Sequence, residues 1–177
     1  MQIYIALLRG INVGGHRKVP MADLRELLNE IGLENLQTYI QSGNVIFQTS
    51  SKDIRQLEEK IKNAIIDHFG FEVSVMIKTR AELQTIFDDC PFTEDVKSKS
   101  YFAILSAIPN EELVKIASEK VYENEDYHIH NNCIYFYASK GYGNAKFNLK
   151  WFENKLELNA TARNYKTMLK LLSLSQN

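Results

Sequence analysis

Short apolar runs of strand length alternate along this chain with amphipathic stretches of helical period. Residues 2–8 form an apolar run after Gln2, closed by Arg9-Gly10, which predicts a central strand. Pro20 marks a helix start. Leu24, Leu27, Leu28 and Ile31 then recur on one helical face until Gly32 ends the helix. Residues 38–41 and 45–48 flank Ser42-Gly43, the pattern of a tight hairpin. Ser51 stands where it would cap a helix whose stripe is Ile54, Leu57, Ile61, Ile65 and Phe69, closed by Gly70. Residues 72–78 predict a fourth strand. The order β-α-β-β-α-β is the split βαβ of a ferredoxin-like plait.

The second half partly repeats it. A short helix at 81–88 ends at Cys90-Pro91, and the polar stretch 92–100 reads as a linker. Beyond it the pattern predicts a strand at 101–106, a helix at 110–121, and strands at 126–130 and 133–138 around Asn131-Asn132. A glycine-rich loop at 140–146 and a helix at 147–156 follow. Residues 157–163 read as a break, and 164–174 as a final helix with Tyr165, Met168, Leu169 and Leu172 on its apolar stripe. The second half is therefore β-α-β-β-α, a plait lacking its last strand. The sequence predicts an α+β protein of two ferredoxin-like subdomains, 1–90 and 100–177, with antiparallel sheets and helices on one face.

Topology points to a site. A helical crossover makes the first two strands of a plait parallel. The loop after strand one and the hairpin between strands two and three then leave the same end of the sheet. Arg9, Asn12, Gly14, Gly15, Arg17 and Lys18 would share a rim with Ser42 and Asn44. Nothing acidic lies between Met1 and Ala22. Glycine backbone and arginine forks suit an anion such as phosphate or carboxylate. The other reading is architectural: the glycines set a turn, and Asn12 and Asn44 tie two loops together by backbone hydrogen bonds. The spacing matches neither a P-loop nor a dinucleotide fingerprint, and no cofactor is implied.

Bulk properties narrow the classes. The 177 residues are 45% hydrophobic and 24% charged, with a formal net charge of −1, an ordinary globular composition. A uniformly basic nucleic-acid binder is excluded, a local basic patch is not. No apolar run approaches the roughly 20 residues of a membrane span. The first residues are too short and uncharged for a signal peptide. Cys90 and Cys133 stand in no metal or redox spacing, so reduced cysteines in a cytoplasmic protein are expected.

Other candidates carry less. Thr161 or Asn164 would cap the last helix, or Arg163 would swing toward the rim as a further basic group. His128 and His130 share a strand face but lack an evident third ligand, and no metal is expected. His16 has no carboxylate nearby in sequence to orient it as a base. Tyr135, Tyr137, Tyr4 and Phe47 stand on strands, as base-stacking aromatics do in RNA-binding plaits, but the consensus of those plaits is missing. Familiar hydrolase motifs are absent too.

Three segments carry a resemblance: Leu7-Leu-Arg-Gly-Ile-Asn-Val-Gly-Gly15 with Lys18-Val-Pro-Met21, Tyr39-Ile-Gln-Ser-Gly-Asn-Val-Ile-Phe47, and Ala160-Thr-Ala-Arg-Asn-Tyr-Lys-Thr167. With them the chain resembles the family called domain of unknown function 1697, and the loop at 141–147 fits that likeness. Tyr165 stands where tryptophan is expected in many relatives. The resemblance implies a soluble bacterial protein of two plait-like subdomains and implies no activity. The functional expectation is a cytoplasmic binding protein for a phosphorylated small molecule or nucleic acid, without a membrane partner. The ligand site comprises the rim with Arg163 and Asn164. An enzyme of unrecognised class using that rim, or a protein-interaction module, are the alternatives, and the oligomeric state stays open.

Overall fold

The structure is a computed structural model that describes residues 1–176. Strand β1 (Gln2–Arg9) is followed by helix α1 (Met21–Glu30), strands β2 (Glu34–Tyr39) and β3 (Asn44–Thr49), helix α2 (Ile54–Phe69) and strand β4 (Ser74–Thr79). The sheet order is β2-β3-β1-β4, and β1 is antiparallel to both neighbours. Since β2 is also antiparallel to β3, β1 and β2 run parallel, as the crossover argument requires.

Burial explains the central place of β1. Tyr4 to Leu8 are all buried, as a strand covered on both faces must be. Tyr4, Ala6 and Leu8 point to one face and share a core with Val45, Phe47 and Ile77. Leu24, Leu27 and Leu28 of α1 and Leu57, Ile61 and Ile65 of α2 cover that face, which is the face that the 3.6-residue period selects.

Helix α3 (Arg80–Asp88) and the single-turn α4 (Glu94–Lys97) lead to strand β5 (Tyr101–Leu105). Then come α5 (Glu111–Ser118), β6 (Glu125–His130), β7 (Cys133–Ala138), a 3-10 turn (Tyr142–Asn144), α6 (Leu149–Leu156), β8 (Ala160–Asn164) and α7 (Tyr165–Leu174). The second sheet is antiparallel with order β6-β7-β5-β8. The protein is thus α+β with two four-stranded sheets. The chain divides into two compact units, one holding residues 1–83 with those from Lys170 onward, the other Gln84–Leu169.

The largest departure from the sequence reading is β8. The second half is not missing a strand: residues 160–164 pair with β5 from Leu105↔Ala160 to Tyr101↔Asn164. Ala-Thr-Ala-Arg-Asn has small and polar side chains and no large-apolar alternation, so only its ladder with β5 makes it a strand. Helix α7 starts directly after it, capped by Asn164, whose Oδ1 accepts from Thr167 N at 2.9 Å. Thr161 lies inside the strand and is no cap.

Smaller corrections have local causes. Asp53, not Ser51, caps α2, its Oδ1 accepting from Gln56 N at 3.0 Å. The hairpin loop has four residues, 40–43, since Tyr39 pairs with Asn44. Helix α6 begins at Leu149 because Asn148 Oδ1 accepts from Trp151 N. On α7, Leu169 is exposed while Leu171 is buried with Met168 and Leu172, so the stripe lies one residue further round.

Candidate functional site

The loop between β1 and α1 is built around Asn12. Its Nδ2 donates to Val19 O at 2.9 Å and to Gln41 O at 2.8 Å, and its Oδ1 accepts from Val19 N at 2.8 Å. Its backbone N–H donates to Arg17 O at 3.1 Å. Asn12 holds a left-handed φ of 55°, which asparagine tolerates better than most residues. One side chain therefore closes the loop on itself and ties it to the β2–β3 hairpin.

The hairpin makes the reciprocal join. Gly43 O accepts from Leu8 N at 2.7 Å. A Cβ on Gly43 would stand 2.6 Å from Leu8 Cβ and 3.0 Å from Ile11 Cδ1, at a φ of +80°. The close approach and the backbone both require glycine. Asn44 is fully buried, and its Nδ2 donates to Tyr39 O and to Ser42 Oγ, each at 3.0 Å. The expected rim of loop and hairpin is therefore formed, and the amide donors of Asn12 and Asn44 go to the protein's own oxygens.

What faces outward is the tip. Residues 13–18 are all exposed, pinched by an isolated bridge between Val13 and His16. Gly14 and Gly15 have φ of 58° and 79° and Arg17 has 49°. The run of left-handed backbone at the tip lies in the same exposed segment as Arg17 and Lys18. Arg9, half-buried, ends β1 opposite Ser74.

Arg163 and Asn164 belong to the other unit. Arg163 does not sit at a helix start. It is on β8 opposite Phe102, 7% exposed, with Nη1 donating to Thr161 Oγ1 and Ala162 O, both at 2.8 Å. Burial pulls its guanidinium down to about 10. His128 and His130 project from β6 to solvent: His128 meets the Phe92 ring at 5.2 Å and His130 Nε2 lies 3.9 Å from Asp89 Oδ2. Among the described residues no three His, Cys, Asp or Glu side chains are grouped to hold a metal ion. No helix among them is long and apolar enough to cross a membrane.

Of the strand aromatics singled out in the sequence, Tyr4, Phe47 and Tyr135 are core, whereas Tyr137 is half-buried. Tyr4 packs on Phe47 at 5.8 Å, and Tyr135 meets Phe102 edge-on at 5.6 Å. Away from the strands, Tyr122, Tyr142 and Trp151 also reach solvent, and no motif singles them out. Tyr122 and Trp151 come together from the segment after α5 and the start of α6, a juxtaposition no local pattern announces.

No curated protein matches the chain. A conserved bacterial protein from Streptococcus pneumoniae has a similar structure, with a TM-score of 0.77 and 27% sequence identity over 98% of each chain. The family profile described as "Protein of unknown function (DUF1697)" matches residues 1–135, a span that contains the loop and hairpin segments just described. The match covers most of the sequence, and the chain belongs to that family.

Proposed function

We propose that the protein is a cytoplasmic binding protein that holds an anionic, phosphorylated ligand at the tip of the loop after β1. The observation that carries this reading is the division of labour in the loop. Asn12 fixes both ends, while residues 13–18 stay exposed and carry Arg17, Lys18 and the left-handed Gly14 and Gly15. An anion beside exposed glycine backbone and two cations gains charge-assisted hydrogen bonds. A reducing location fits two cysteines that stand as free thiols.

The test is thermal unfolding of wild type and of the Arg17→Ala, Lys18→Ala double variant with inorganic phosphate, sugar phosphates and short RNA. A ligand at about 100 times its Kd stabilises the native state by about 2.7 kcal/mol, which raises the midpoint by several degrees. The wild type should shift and the double variant should not; equal shifts in both would reject the tip as the site. A second reading, a protein partner on the same rim, is favoured by Val13 and Ile40, which are 67% and 50% exposed. Such a partner would be released by Val13→Asp and Ile40→Asp but not by moderate salt.

A further inference from the structure

The unit Gln84–Leu169 contains a second candidate site that owes nothing to the rim. The segment after α5 and the start of α6 line a cavity of about 400 Å³ with Lys120, Tyr122, Glu123, Lys146, Asn148 and Trp151. That volume falls within the about 300–1,000 Å³ of small-molecule sites. An adjoining cavity of about 200 Å³ shares Glu123 and Lys146 with it and is lined also by Glu125, Lys140 and Asn144.

The lining has three chemistries. Tyr122 and Trp151, both half-buried, supply aromatic surface. Lys120 Nζ lies 5.7 Å from the Tyr122 ring centre and 5.6 Å from that of Trp151, so one ammonium serves both rings. Glu125 supplies the third. Its Oε1 accepts from Lys146 N, whereas its Oε2 is buried with no hydrogen-bond partner among the described residues. Such an oxygen calls for a donor.

We propose that these two cavities bind a nucleotide, free or as one unit of a single strand. The base lies against Trp151 and Tyr122, as stacking sites use exposed rings. The phosphate meets Lys120 and Lys146. A ribose hydroxyl or base amine donates to Glu125 Oε2. The carboxylates of Glu123 and Glu125 disfavour a bare phosphate or an acidic peptide at that end, where like charges would meet.

Trp151 is the protein's single tryptophan, so its fluorescence reports occupancy directly. The full chain is titrated with AMP, adenosine, inorganic phosphate and a short single-stranded RNA. The result expected is saturable quenching by AMP, weaker binding of adenosine and phosphate, and about tenfold weaker AMP binding in Lys120→Ala and in Lys146→Ala. The Arg17→Ala, Lys18→Ala variant should bind AMP as wild type does, which separates this site from the rim. RNA binding more tightly than AMP identifies a strand, and equal or weaker binding a free nucleotide. The proposal is overturned if neither AMP nor RNA gives saturable quenching. It is also overturned if lysine variants folded by circular dichroism bind unchanged, or if only the rim variant loses binding.

Discussion

Asn12 and Val19 exchange two hydrogen bonds: Val19 N donates to Asn12 Oδ1 at 2.8 Å and Asn12 Nδ2 donates to Val19 O at 2.9 Å. A side-chain amide here imitates a strand partner for one residue, and the same Nδ2 reaches Gln41 O of the hairpin. Asn12→Ala removes all three bonds and places alanine at a left-handed φ. At roughly 1 kcal/mol per bond with a further ~1 for the backbone, the loss should be about 4 kcal/mol. Asn12→Asp keeps the acceptor and should lose less. Denaturant unfolding that ranks Asp at or below Ala would contradict the clamp.

Glycines at the two ends of the rim should respond differently. Gly43→Ala drives a Cβ into Leu8 and Ile11 and should destabilise by more than about 2 kcal/mol, combining overpacking with backbone strain. At Gly15 a Cβ meets nothing within 4 Å. Gly15→Ala should therefore show only the left-handed backbone cost, about 1 kcal/mol. Equal losses in thermal melts would refute the packing argument.

Tyr135 couples a buried hydrogen bond to pH. Its hydroxyl donates to Ile86 O at 2.7 Å, and burial first, then Cys133, Asp89 and Cys90, push the phenol far above the usual tyrosine range. The folded value lies above the unfolded one, so the phenol's contribution is complete below pH ~10 and is lost as pH rises from there. Tyr135→Phe should cost about 1–2 kcal/mol at neutral pH by leaving Ile86 O without this donor. It should also flatten the alkaline fall in stability. An alkaline limb identical to wild type would show that Tyr135 does not set it.

The two thiols should differ in reactivity. Burial and the neighbouring Cys90 push the Cys133 thiol well up, and burial raises the half-buried Cys90 less. Since the thiolate is the reactive form, native protein at pH ~8 should be alkylated slowly at Cys90. Cys133 should react only in denaturant. Mass spectrometry finding both labelled at the same rate in native protein would contradict this burial.

The sequence by itself determined the first sheet and the rim. Residues 2–8 had to be a central strand because nothing polar interrupts them. The stripes of α1 and α2 had to cover one face, and the crossover then put the loop carrying Asn12 beside the hairpin of Ser42 and Asn44. Those inferences rest on local period and chain connectivity, which a sequence carries. It left open whether Asn12 and Asn44 serve a ligand or the fold, since an amide's partners are set by atoms far along the chain. Only the tertiary structure decided that these amide donors serve the fold. Only it made Ala160–Asn164 a strand, through pairing with β5 across more than fifty residues, and only it buried Arg163 beside Thr161. The cavity at Lys120, Lys146 and Trp151 has the same origin: its walls are distant in sequence and meet because α5 and α6 pack against one sheet.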